Sequence, residues 1–156
     1  DLAKFVRVGD LLFEKGYVEA ALIEYNKAQE GFETSNDDEL QASPNLFARQ
    51  ALCYLRLKYK EKALTIIKKG YELSPEHPTI LRAYGEILEG IGRNKEALEQ
   101  WYASHNVDPY HLQTQKSLVR IYKVLGEFEL ANKHQKNVDI LLGEQISKET
   151  SQLLWR

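Results

Sequence analysis

Residues 78–111 read PTILRAYGEILEGIGRNKEALEQWYASHNVDPYH. Apolar side chains recur at helical spacing in Leu81, Tyr84, Leu88 and Ile91, which draws one stripe along a helix. Gly92 interrupts the stripe, Ala97 and Trp101 carry the next one, and Pro109 closes the stretch. Two helices joined by a tight turn are spelled this way, because glycine takes the left-handed backbone that ends a helix at least cost. The spelling repeats outward. Pro75 lies 34 residues before Pro109, Gly92 lies 34 before Gly126, and Ala63, Ala97 and Ala131 keep the same step. Upstream, Gly9, Gly16, Ala21, Tyr25 and Ala28 continue the frame, but Ala21 to Ala63 is 42 residues, so eight are inserted there.

Small residues occupy the positions where paired helices must approach: Gly9, Ala51 and Gly85 on first helices, Ala21, Ala63, Ala97 and Ala131 on second helices. Larger side chains there would push the helices beyond the usual packing distance. Pro44 and Pro78 suit the first turn of a helix. Three positions break the pattern. Lys58 stands where the other units have a glycine, which is costly only if its φ is positive. Val119 fills a small-residue position and Gln135 an aromatic one, as expected of a terminal unit with a more polar face.

Composition agrees with a single helical module. The length of 156 residues is about one domain's worth. With 43% hydrophobic and 28% charged residues the chain can fold around a core. Leu, Ala, Glu and Lys are plentiful and prolines few, which favours helix. The charge of −2 argues against a dedicated nucleic-acid binder. One cysteine, Cys53, excludes an internal disulfide framework. No run approaches the roughly 18 apolar residues of a membrane span. The chain opens on Asp1 and contains no methionine, so it is expected to be an excised or processed piece of a longer polypeptide.

The pattern of Leu81, Tyr84, Gly85, Leu88, Gly92, Ala97, Trp101, Ser104 and Pro109, with its copies at Phe47–Pro75 and Leu118–Val138, resembles the tetratricopeptide (TPR) repeat. The resemblance implies an all-α superhelix, or solenoid, of about four helix-turn-helix units with a C-terminal capping helix. Those units would be 2–35, 44–77, 78–111 and 112–143, with a polar, acidic insertion at 36–43 and a capping helix or tail at 144–156. It further implies that first helices line a concave groove. Carried across residue by residue, that wall holds Arg7, Arg49, Leu52, Arg56, Arg82, Lys116, Arg120 and Lys123. The full wall carries seven basic side chains against the four acidic Asp10, Glu14, Glu86 and Glu89. A cleft of one sign draws an oppositely charged partner, and arginine suits bidentate carboxylate recognition. The expected ligand is therefore a peptide or protein with acidic groups, or a chain terminus. The plainer alternative is that these arginines keep an exposed face soluble and pair with Glu86 and Glu89.

The carboxylate clamp of chaperone-binding TPR domains is not supported. Its positions hold Val6, Asp10, Arg49, Thr79 and Ala83, or, one unit later, Ala48, Leu52, Ala83, Gln113 and Ser117. Nucleic acid is disfavoured by charge and because Phe13 is the lone aromatic of the wall.

Catalytic and cofactor patterns are missing. The glycines of 85–92 are not followed by the Lys-Ser/Thr of a phosphate loop or the third glycine of a dinucleotide fingerprint. His77, His105, His111 and His134 form no His-x-x-x-His pair and have no cysteine nearby, so no metal or cofactor is expected. Cys53 reads as a small core residue. The expected role is a non-catalytic interaction module. The alternatives are a structural domain that packs on a neighbour or on its own copy, and a regulatory array appended to an enzyme outside these residues.

Overall fold

The computed structural model describes residues 1–35 and 43–155. Among them are eight helices and no strand: α1 (Leu2–Glu14), α2 (Val18–Thr34), α3 (Pro44–Arg56), α4 (Lys60–Leu73), α5 (Pro78–Gly90), α6 (Asn94–Val107), α7 (Leu112–Val124) and α8 (Phe128–Leu154). The insertion 36–43 lies outside the described residues except for Ser43, whose hydroxyl accepts from the Leu46 amide at 3.4 Å and starts α3 with Pro44 in its first turn. The chain divides into two compact units, Asp1–Ala97 and Leu98–Arg156, with the boundary inside α6.

Four turns share one hydrogen-bond pattern. After α3, the Tyr59 amide donates to the Tyr54 carbonyl at 2.9 Å and the Lys58 amide to Leu55 at 3.0 Å. The same pair closes α1 (Tyr17 to Leu12, Gly16 to Phe13), α5 (Arg93 to Leu88, Gly92 to Glu89) and α7 (Glu127 to Tyr122, Gly126 to Lys123). These are Schellman closures, which require a left-handed residue after the helix. Gly16, Gly92 and Gly126 supply it at φ 85°, 83° and 77°, and Lys58 does so at φ 72°. The lysine thus stands in a conformation that costs any residue with a Cβ. Tyr59 packs edge-on against Tyr54, with ring centroids 6.3 Å apart, across the closure after α3.

In the first unit α3 is central and packs against α1, α2, α4 and α5. One core cluster gathers Phe13, Ala21, Tyr25, Ala28, Leu46 and Cys53, and another gathers Ala48, Ala51, Ala63, Ile67, Ile80, Ala83 and Ile87. Leu52 packs against both. Close approach explains the small residues: a Cβ on Gly9 would lie 2.6 Å from the Tyr25 ring. Cys53 is fully buried and burial pushes its thiol up to about 11, which suppresses thiolate chemistry.

In the second unit α7 packs along α8. The segment 144–154 is helical, but it is the continuation of α8 through Gly143 and not a separate element. Its side chains are exposed, including Ile146, Leu153 and Leu154, and so is the Trp155 that caps the helix.

Candidate functional site

Three first helices of the first unit bring charged and aromatic side chains together. α1 presents Asp10 and Phe13 one turn apart, α3 presents Arg49 and Arg56 two turns apart, and α5 presents Glu86. Phe13 is buried in the core cluster, and two guanidinium groups lie over its ring. Arg56 sits 4.2 Å from the centroid and Arg49 5.2 Å, both inside cation–π range. Asp10 holds the first end of this arrangement. Its carboxylate accepts from the Tyr25 hydroxyl at 2.6 Å and lies 3.6 Å from Arg49 Nε. Burial and donation to that carboxylate push the Tyr25 hydroxyl well above its ordinary range, so it stays a protonated donor. Glu86 holds the other end, 3.9 Å from Arg56.

Both ion pairs are longer than the roughly 2.7–2.9 Å of a charge-assisted hydrogen bond. The arginine side chains are 37% and 43% exposed. Both guanidinium groups thus lie within cation–π distance of one ring and are only loosely engaged by the carboxylates. A half-exposed guanidinium group has planar donors with which it can take a carboxylate or phosphate in bidentate fashion.

The remaining wall residues distribute as follows. Arg7 pairs with Asp1 at the start of α1, 3.5 Å away. Arg82 on α5 contacts the Thr79 hydroxyl at 3.5 Å. Leu52 lies between the two clusters as a core residue more than a surface one. Lys116, Arg120 and Lys123 are exposed on α7 in the second unit, where Arg120 donates to the Ser117 hydroxyl at 3.1 Å. The structure brings Arg49, Leu52 and Arg56 together with Phe13, Asp10 and Glu86.

A second polar cluster, in the second unit, escaped the sequence reading. Gln115 is fully buried and uses its whole amide. Its Nε2 donates to the Pro109 carbonyl at 2.8 Å and lies 2.8 Å from His105 Nδ1. A carbonyl can only accept, so the amide orientation is fixed, and His105 Nδ1 must accept. Gln115 Oε1 then takes hydrogen bonds from His134 Nδ1 at 2.7 Å and Asn137 at 3.1 Å. The hydroxyls of Ser104 and Thr114 pair beside it at 3.2 Å. Burial lowers the pKa of both histidines, helped by Lys133, and for His134 also by His105. The signal was present in the repeat frame: Thr114-Gln115 occupy the places of Leu46-Phe47 and Ile80-Leu81. With every amide position matched, the cluster is structural. Among the described residues no group of three or more His, Cys, Asp or Glu side chains could hold a metal ion.

The turn geometry, the 34-residue step and the helix order define the class: an all-α, TPR-like helical repeat. Solved structures of MamA share that fold. One matches with a TM-score of 0.72 at 14% identity, covering 94% of this chain and 81% of the other. Residues 41 to the end of MamA from Desulfovibrio magneticus RS-1 match at 0.72 and 16% identity, covering 93% and 77%. MamA from MSR-1 matches at 0.65 and 16%, covering 93% and 79%. At such identities the likeness is one of fold. No protein-family model matches the sequence, and no curated protein matches it.

Proposed function

We propose that the chain is a non-catalytic protein-binding module whose α1–α3–α5 face docks a peptide or protein segment bearing a carboxylate. The stacking of Arg49 and Arg56 over Phe13 carries this reading, with the arginines loosely paired and half-exposed. A partner carboxylate can displace Asp10 or Glu86 from a guanidinium that the ring keeps in place, so little ordering entropy is lost on binding. Arg7 and Arg82 lie on the same helices as this centre, and Lys116, Arg120 and Lys123 are the basic side chains that α7 exposes in the second unit. Leu52, between the two arginines along α3, packs against both core clusters.

The test is capture of acidic peptides on immobilised protein across a salt series. Binding should weaken with salt and fall at least tenfold in Arg49→Glu and Arg56→Glu. Phe13→Leu, which keeps the core filled but removes the ring, should weaken binding less than either charge reversal. Salt-independent capture, or capture untouched by both reversals, refutes the reading.

A further inference from the structure

We infer that α8 is a self-association surface on which two copies of the chain pair antiparallel, each placing Trp155 in a cavity of the other. This interface is separate from the face on α1, α3 and α5.

The cavity lies in the second unit. It has a volume of about 190 Å³ and is lined by His105, Pro109, Tyr110, Asn137, Ile140, Leu141 and Glu144. Its walls are mostly apolar, yet Tyr110 and Ile140 are strongly exposed. An apolar hollow on a free surface calls for an apolar occupant. The same helix carries one, because Trp155 is 88% exposed and follows Leu153 and Leu154, which are exposed as well.

Helical geometry links the two. At about 100° per residue, Asn137, Glu144, Lys148 and Trp155 share one side of α8 within about 40°. Ile140, Ser147 and Leu154 line the adjoining strip. A two-fold axis at Ser147, perpendicular to the helix, sets Ile140 against Leu154 of the second copy and Leu141 at the level of its Leu153. Trp155 then arrives beside the second copy's Asn137 and Leu141, two residues of the cavity wall. The same axis brings Lys148 about 3 Å along the helix from the level of the second copy's Glu144, and the reverse. Opposite charges meet twice and apolar ends meet apolar ends. A self-complementary patch of this kind is what an isologous dimer needs. The overlap is one helix per copy, about 27 Å from residue 137 to 155, which places the interface at the small, weak end of stable contacts.

Sedimentation of the full chain, from low micromolar to near-millimolar protein, should show a reversible monomer–dimer equilibrium. Trp101 is buried, so a blue shift of tryptophan emission on dimerisation reports Trp155. Trp155→Ala and Ile140→Glu should each weaken the dimer at least tenfold with unchanged helix content by circular dichroism. Both sites are exposed, so the fold tolerates them. Glu144→Lys and Lys148→Glu should each weaken it, and the double reversal should restore it. Mixing Ile140→Cys with Leu154→Cys chains should give a cross-chain disulfide under mild oxidation. A monomer at every concentration overturns the inference, as does a dimer indifferent to Trp155→Ala and Ile140→Glu. A monomer that takes up an apolar peptide from another protein at the cavity also overturns it, in favour of a foreign occupant.

Discussion

Replacing Lys58 with glycine should stabilise the protein, although it removes a side chain. The backbone there has φ 72° and closes α3 with the same two hydrogen bonds that Gly16, Gly92 and Gly126 close in their turns. A left-handed residue with a Cβ costs about 1–2 kcal/mol. Glycine relieves that strain but returns about 0.5–1 kcal/mol through its greater freedom in the unfolded chain. The Lys58 side chain is exposed, so its loss subtracts little. The net gain is about 0.5–1 kcal/mol, or a rise in melting temperature of roughly 1–4 °C for a chain of this size. Thermal unfolding followed at 222 nm measures it, with Lys58→Ala alongside. Alanine keeps the Cβ and so keeps the strain. If alanine stabilises as much as glycine, the effect belongs to the lysine side chain and the backbone argument fails. If glycine lowers the melting temperature, the Schellman closure at this turn is itself refuted.

Two further outcomes follow from the packing. Gly9→Ala should destabilise the first unit by about 1 kcal/mol, because overpacking against the Tyr25 ring outweighs the gain in helix propensity; a raised urea midpoint would show that the helices part freely. Stability should also fall as the pH drops below about 6.5. His105 and His134 titrate below that ordinary value when folded, so the unfolded chain takes up protons first, and their contribution is complete only above it. A proton on His105 Nδ1 would also set donor against donor at Gln115 Nε2. Urea denaturation at pH 7.5 and pH 5 tests this, and equal or greater stability at pH 5 contradicts it.

The fold was legible because backbone constraints leave periodic marks. Glycine at a left-handed turn and alanine at a helix crossing recur with the repeat, so 34-residue steps at Gly92 and Gly126 locate turns directly. Lys58 was legible as an exception, but its φ was not, since a side chain's identity does not fix the sign of its own backbone angle. Net charge on the candidate wall was read by counting; pairing with Glu86 was foreseen as the plainer alternative and is present at Arg56, whereas the pairing of Arg49 with Asp10 was not foreseen. Asp10 and Glu86 belong to the same face as Arg49 and Arg56, and their separations, rather than their number, set how available the guanidinium groups are. The stacking on Phe13 could not be read, because it depends on side-chain geometry between helices some forty residues apart in sequence. The run-on of α8 was half-visible: Gly143 looks like a stop, but in the structure a Cβ there would meet nothing, and the helix passes through.

The two polar clusters differ in what they can be for. Around Gln115 each amide position is matched and the group is buried, so removing a partner would leave an unsatisfied buried atom at a cost of about 1–3 kcal/mol. Stability alone accounts for such a network. For Arg49 and Arg56 the ion pairs supply little of that kind. Exposed ion pairs contribute about 0–1 kcal/mol, and pairs at 3.6 and 3.9 Å lie at the weak end of that range. Solubility would be served equally by lysines pointing into water. It does not call for two arginines laid over one buried ring, with a tyrosine hydroxyl holding the carboxylate beside them. On the proposed reading, the arrangement offers a ligand two half-exposed planar donors beside one ring, on a face built from α1, α3 and α5. A residue set whose ion pairs add little to stability, and which forms the centre of the proposed docking face, is the one to test first for a partner.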